Sequence, residues 1–436
     1  MKKEIFGWGK FPKRIGKIFF FEDNNKIKKI LKDYNNIIPR GNGRSYGDSS
    51  LSKNVILTLN HNKILKLDLK NKIVDCDSGV KINYLNNFLI KKNLFIPVSP
   101  GSSHVTVGGA IASDVHGKNH HKLGCFSDHI KEIKVLLGNN KIVKASNKIN
   151  KDLFKATCGG MGLTGIIVSA KINLIRINST QITQKIKIVN NFQNLKDMFT
   201  KFKKSPYSVA WIDTLSSGND FGKSVFIIGK HSNDNIKKFN NSSNIVLPIK
   251  LISLFFNQFF LKIFNKIYIL KSQIFSNRNN LVHYFKYFYP LDKIKSWNSV
   301  YGKRGFIQYQ FVTPKKYGFV PINDVLSLLS KSKHKSYLSV LKEFGEKNKN
   351  YLSFPIKGYS LALDFKYTSK IFEFLKELDK IVLKYKGRIY LTKDSRLDEK
   401  TFKAMYPQYK IFQKIRKKYH ATNKFSSFQS KRIGII

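Results

Sequence analysis

The sequence predicts an α+β chain built as two domains, and three observations carry that prediction. The 436 residues are 42% apolar, enough for more than one buried core. The first 175 or so residues alternate short strand-like runs with glycine-rich loops. From roughly Ser179 to Lys386 strands mix with amphipathic helices, and from Gly387 a strand and a polar helix return, with no internal repeat or low-complexity linker between.

In chain order, Lys17–Phe21 reads as a strand and Asn25–Tyr34 as a short helix with Ile27, Ile30 and Leu31 on one face. Val55–Leu59, Ile64–Leu69 and Lys72–Asp77 are strand-like, and Val80–Leu94 is helix-like. Ile130–Leu137 and Lys141–Ala145 flank Gly138-Asn139-Asn140, a hairpin turn signal. Gly165–Ile177 alternates apolar and polar residues as one long strand does. The middle holds strands at Ser224–Ile228, Phe306–Val312 and Tyr359–Phe365 and helices at Asn323–Ser332 and Lys370–Lys384. The last part predicts a strand at Arg388–Thr392 and a polar helix over Asp398–Lys418.

Lys+Arg number 79 against 27 acids, a formal charge of +52 that invites a nucleic-acid reading. Most of that charge is Lys, which lacks the bidentate fork of Arg, and it is spread along the whole chain. The richness in Asn, Ile, Phe and Tyr fits an AT-rich coding bias, so no specific nucleic-acid partner is expected. Lipid head groups and phosphorylated substrates are the anionic partners such a surface attracts. Cys76, Cys125 and Cys158 form no CxxC pair, which points away from a disulfide framework or a zinc site and fits a reducing compartment. The N-terminus has lysines but no apolar run before a small-residue cleavage site, so no signal peptide is expected. Val246–Leu270 is the most apolar stretch, but Lys250, Lys262 and Lys266 make it a poor spanning helix. It reads either as an amphipathic helix on a membrane or over an apolar pocket, or as an ordinary core-facing helix. A cytoplasmic protein, peripheral on the inner face of the membrane, is the expectation.

Three small-residue loops lie in the first half. Gly160-Met161-Gly162-Leu163-Thr164-Gly165 is a literal GxGxxG, but a strand-like segment follows it and the next acid, Asp197, is too distant for a nicotinamide-dinucleotide fold. Pro39-Arg40-Gly41-Asn42-Gly43-Arg44-Ser45-Tyr46-Gly47-Asp48 makes a tight loop whose amides and arginines suit a pyrophosphate. Pro100–Gly117 is dominated by small residues, poor for filling a core and good for laying backbone along an extended ligand. His116, His120 and His121 cluster nearby without carboxylate or thiolate partners, so no metal is expected.

Together these loops resemble the FAD-binding domain of the vanillyl-alcohol-oxidase-type flavoproteins. RGNGRSYGDSS, PGSSHVTVGGAIASDVHGKNHH, GGMGLTGII, IQYQFV, LSFPIKGYSLALDF and GRIYLTKDSR with TFKAMYP are similar to the polyprenyl-phosphoribose 2′-oxidases of that group. The resemblance runs from near residue 5 to about residue 430, with Lys230–Phe285 divergent. It implies a PCMH-type FAD-binding fold over 1–178 plus 388–436 and an antiparallel-sheet substrate domain, the cap, over 179–387. Its C-terminal part is like that of the aldonolactone oxidases.

The resemblance further implies oxidation of the 2′-hydroxyl of a polyprenyl-phosphoryl pentose, the flavin half of a ribose-to-arabinose epimerisation in cell-envelope polysaccharide synthesis. Electrons would pass to a quinone-type or other acceptor, and a short-chain reductase would be the partner. It carries the cofactor contacts onto Pro39, Arg40, Gly41, Asn42, Gly43, Arg44, Ser45, Tyr46, Gly47, Gly101, Thr106, Val107, Gly108, Gly109, Ser113, His116, Gly117, Ile167 and Tyr390. Lys393 is the first choice for catalysis, because a cation steadies negative charge on a reduced flavin and holds substrate oxygens. Tyr46, Tyr390 and His116 are the other proton-handling candidates. Lys118, Gln308, Gln310, Lys342 and Ser360 are implied on the substrate side; Gln308 and Gln310 share a strand face, as a site needs and as a solvent face also shows.

Two departures matter. Arg44 stands where aldonolactone and alditol oxidases of this fold carry a flavin-linked histidine, so FAD is expected to bind non-covalently. Ala362 stands where some members carry a cysteine open to covalent inhibitors. The competing readings are an aldonolactone or alditol oxidase of the same fold, and a basic membrane- or nucleic-acid-binding protein without catalysis.

Overall fold

The computed structural model describes residues 2–236 and 257–436. Two sheets form the N-terminal part. The first has four strands in the order Lys2–Phe6, Lys13–Phe20, Asn54–Leu57, Ile37–Arg40, antiparallel at the first contact and parallel at the other two. A parallel pair needs a crossover, and the helix Asn24–Asp33 supplies it. Asp23 caps that helix by accepting from Lys26 N, and Ile27, Ile30 and Leu31 are its buried stripe.

The second sheet is antiparallel, in the order Ile64–Asp68, Ile73–Asp77, Ile166–Asn173, Ile130–Leu136, Ile142–Ala145. The strand read across Gly165–Ile177 lies at its centre, which is why both faces of Ile166–Ala170 are buried. It ends at Asn173; Leu174 N bonds Lys72 O, and Ile175–Arg176 pairs separately with Leu94–Phe95.

The larger part is one eight-stranded antiparallel sheet. Its order is Asn279–His283, Gln181–Val189, Ser224–His231, Tyr207–Ile212, Ser339–Phe344, Gly358–Lys366, Phe306–Pro314, Arg388–Ile389. The Phe306–Pro314 strand is buried through Thr313 on both faces. Helix Ile371–Lys384 covers one face: Tyr309 donates to Asp379 Oδ1 at 3.0 Å, and Arg396 clamps the same carboxylate with two 2.6 Å bonds. The other face meets the N-terminal loops, so Gln308 and Gln310 point into the interior rather than to solvent.

The C-terminal stretch departs from the sequence reading in two places. The strand expected over Arg388–Thr392 is only Arg388–Ile389; the chain then turns, with Lys393 N and Asp394 N both bonded to Tyr390 O. The helix expected over Asp398–Lys418 is two, Glu399–Met405 and Tyr409–Lys418, because Pro407 has no amide to continue the first. Of the apolar stretch 246–270, residues 246–256 lie outside the described residues; the rest belongs to a helix, Gln258–Ile274. Among the described residues no helix is long and apolar enough to cross a membrane.

Candidate functional site

The three glycine loops meet. A Cβ on Gly41 would lie 2.2 Å from Thr106 Oγ1, and one on Gly162 would lie 3.0 Å from Pro39 Cγ, so only glycine lets these side chains come so close to its backbone. Asn42 Nδ2 ties the first loop to the second by donating to His104 O at 2.9 Å. The expected strand, not a helix, follows the GxGxxG at Ile166.

Their meeting point opens on a cavity of about 510 Å³, in the range of ligand pockets. Its wall takes in Pro39, Arg40, Gly41, Asn42, Gly43, Arg44, Ser45, Tyr46, Gly101, Thr106, Gly108, Gly109, Ser113, His116, Ile167 and Tyr390. Lys118, Gln308, Gln310, Lys342, Ser360 and Lys393 line the same cavity. Three of the residues carried over as cofactor contacts are absent from its wall. Gly47 backs onto the Asp394 carbonyl, Val107 is in the core, and Gly117 packs against Ser99 and Asn119.

The first loop is built as an anion cradle. Among the described residues, the amides of Asn42, Gly43, Arg44 and Ser45 find no acceptor within the chain. Arg44 lies over the Trp8 ring at 4.0 Å with its buried Nε unpartnered. Arg40 has a different part: its guanidinium bonds Phe6 O at 2.7 Å and Ser50 Oγ at 3.1 Å, supporting the loop from beneath. The short helix Val107–Ala112 offers no free N-terminal amides. Val107, Gly108 and Gly109 N–H groups go to Val80 O, Ser78 O and Thr106 Oγ1. Flat backbone, unspent amides and a buried guanidinium fit a flat dinucleotide with a pyrophosphate.

The opposite end is basic. Burial lowers Lys118 to about 7 and Lys342 to about 8, and lowers Lys393, which Asp364 pulls back up and Lys342 pushes further down. Lys393 Nζ sits 3.6 Å from the centre of the Tyr46 ring. Lys118 donates to Tyr287 O and lies over its ring at 4.3 Å. Burial and the nearby lysines hold His116 well below its ordinary range, hence neutral. Gln310 Nε2 meets His116 Nε2 at 3.0 Å and Ser360 Oγ at 3.2 Å, so the His116 proton resides on Nδ1, buried and without a partner in the chain. Tyr390 is an anchor: its hydroxyl donates to Ser113 O at 2.9 Å.

Sequence reasoning missed two carboxylates. Asp364 is fully buried opposite Gln308, accepting from Gln308 Nε2 at 2.5 Å and Tyr301 OH at 3.1 Å. That fixes the Gln308 amide with its nitrogen on the carboxylate. Asp292 lines the cavity near Arg44 and accepts from Ser103 N at 2.6 Å and Ser103 Oγ at 2.8 Å. Asp292 sits in no motif; Asp364 lies within LSFPIKGYSLALDF, an acid inside an apolar strand run, which is the signal that was available. His120 is structural: its Nδ1 accepts from Gly345 N at 3.1 Å, leaving Nε2–H facing Cys125 Sγ at 3.3 Å, and burial pushes that thiol up.

Comparison with known proteins agrees with this geometry. Residues 17–146 match the FAD binding domain family. Over 454 aligned positions the chain is 31% identical to decaprenylphosphoryl-β-D-ribose oxidase of Mycolicibacterium smegmatis, covering 100% of this chain and 98% of that protein. Likeness to a D-lactate dehydrogenase of Anaerostipes hadrus is 31% over 157 residues, 35% of this chain and 32% of that one. A Neurospora crassa protein provisionally named D-arabinono-1,4-lactone oxidase is 25% identical over 194 residues, 43% of this chain and 34% of that one.

Proposed function

The chain belongs to the FAD-dependent oxidoreductase family of decaprenylphosphoryl-β-D-ribose oxidase, and from that premise we propose that it oxidises the 2′-hydroxyl of a polyprenyl-phosphoryl pentose. One observation carries the reading: a single cavity joins a dinucleotide cradle to a pocket lined by three lysines and two strand-borne glutamines. We keep with it the division into an FAD-binding part (1–178 and 388–436) and a substrate part (179–387).

When bound, FAD supplies the acceptor for the hydride leaving the carbinol carbon. The amides of residues 42–45 and Arg44 hold its pyrophosphate, and with arginine at 44 the flavin is not covalently linked. Lys118 and Lys342 attract the substrate phosphate; an anion beside them raises their affinity for protons and keeps both charged. His116 gives its Nδ1–H to a substrate oxygen, and Gln308, turned by Asp364, presents its carbonyl oxygen to a hydroxyl. Lys393 steadies the negative charge that the departing hydride carries to its acceptor, and Tyr46, whose ring lies against Lys393 Nζ, relays the proton lost by the hydroxyl to water.

The electron acceptor of this proposal is a quinone or another oxidant, a short-chain reductase completes the epimerisation, and the protein rests on the membrane that carries its substrate. The test is the absorbance spectrum of the purified protein, followed by anaerobic addition of polyprenyl-phosphoribose. Bleaching of the flavin band is expected; bleaching by a free aldonolactone or polyol, with none from the lipid phosphate, overturns the reading.

A further inference from the structure

We infer that the cavity continues as an apolar groove holding the isoprenoid chain of the substrate, and that this groove leaves the molecule along the Gln258–Ile274 helix. The inference rests on the function proposed above and assigns the part of the cavity that the sugar and phosphate do not use.

Beyond the cradle the cavity wall changes character. Around Lys118, Gln308, Gln310, Lys342 and Lys393 it is polar and basic. From Phe288, whose ring centre is 5.9 Å from Lys118 Nζ, the lining also includes Val209, Trp211, Ile227, Phe264 and Tyr268. Val209 and Trp211 are two residues apart on one strand and therefore share a face, and Ile227 on the neighbouring strand pairs with Val209. Tyr268 meets the Trp211 ring edge-on at 4.9 Å, and Phe264, one turn earlier, lies parallel to Tyr268 at 6.4 Å. The three rings lead outward from the sheet to the surface. Phe264 belongs to the cavity wall and is also 50% exposed, so the wall reaches solvent there.

The helix continues the same chemistry outside. Leu261, Asn265, Ile269 and Ser272 are its buried side, and Asn265 Nδ2 fastens it to Asp213 Oδ1 at 2.7 Å. The other side exposes Ile263, Ile267, Leu270 and Ile274, spaced as one stripe, with Ile267 and Leu270 each 59% accessible. Lys262, Lys266 and Lys271 accompany the stripe, and no acid occurs in the helix. An apolar patch continuous with a pocket marks an interaction site. A free sugar has no use for such a wall, whereas an anionic head on an apolar chain matches both kinds of lining.

The test compares anaerobic flavin reduction by phosphoribose carrying a dimethylallyl chain with reduction by the same head carrying a geranylgeranyl chain. The wild type is expected to favour the long chain by roughly tenfold or more in kcat/KM. In Phe264→Glu and in Tyr268→Ser that ratio is expected to fall to about twofold or less, whereas Ile142→Glu, an exposed change on a distant edge strand, leaves the ratio intact. Flavin content per protein monitors folding in each variant. Equal kcat/KM for both chains in the wild type, or an unchanged ratio in both groove variants, overturns the groove while leaving the substrate head in place. If neither substrate bleaches the flavin, the substrate assignment falls with it.

Discussion

Asp364→Asn separates electrostatics from shape. The substitution keeps the side-chain outline and one oxygen for Gln308 or Tyr301, but removes the buried negative charge that raises Lys393. An opposite charge at close range is worth about one to two pH units to a titrating partner. Lys393 acts here as a cation, so its activity is present below its midpoint and lost as pH rises through it; lowering the midpoint moves that loss to lower pH. At the wild-type midpoint half of the molecules carry charged Lys393. In the variant that fraction drops to about a tenth or a hundredth, a fall of roughly fivefold to fiftyfold in the rate of flavin reduction. About two units lower the difference has shrunk to about twofold or less. The assay is anaerobic stopped-flow bleaching from about pH 5 to about pH 9 with saturating substrate. A loss by the same factor at every pH refutes the reasoning, because it would mean that Asp364 acts only by holding Gln308.

Three further outcomes are expected. Acid precipitation of the holoprotein leaves FAD in the supernatant, read by its absorbance; flavin retained in the pellet contradicts the assignment of Arg44. Ala362 lines the cavity opposite Gln310 on the neighbouring strand; inhibitors that trap a cysteine there leave this enzyme active in a turnover assay, and Ala362→Cys confers time-dependent inactivation. In the apoprotein, Lys342 is held at about 8 by burial against an ordinary value near 10.5, so the unfolded chain binds more protons above about pH 8 and stability rises with pH there. Lys342→Met removes that cost, roughly 3 kcal/mol, and is expected to raise Tm at pH 7 and flatten its rise toward pH 9, as calorimetry reads.

The helix Asn24–Asp33 was legible because its apolar stripe has the helical period and Asp23 caps it. The glycine loops were legible because backbone-to-backbone approach leaves a compositional mark. Gln181–Val189, Tyr207–Ile212 and Ser339–Phe344 carry no comparable mark: they are strands because they pair within a wide sheet, and pairing partners lie far apart in sequence. The helix end at Met405 was readable from Pro407, yet the charged periodicity on both sides masked it. Among site residues, Lys393 came from the resemblance, whereas His116 also stood out by its cluster with His120 and His121. Asp292 and Asp364 gain their meaning only from Ser103 and Gln308, nearly 190 and 56 residues away. Arg40 and Tyr390 line the cavity, but their hydrogen bonds go to the protein, a distinction no sequence pattern makes.

Arg432 joins Asp48, at the end of the first glycine loop, to Asp394, in the turn that carries Lys393, with bonds of 2.6 and 2.9 Å. Gln429 adds 2.7 and 3.1 Å bonds to Leu391 O and Asp394 Oδ2. The clasp thus spans 384 positions of sequence, and one guanidinium holds the first glycine loop against the Lys393 turn. A substitution at Arg432, which is outside the cavity wall, therefore loosens both at once and leaves two buried carboxylates without that counter-charge.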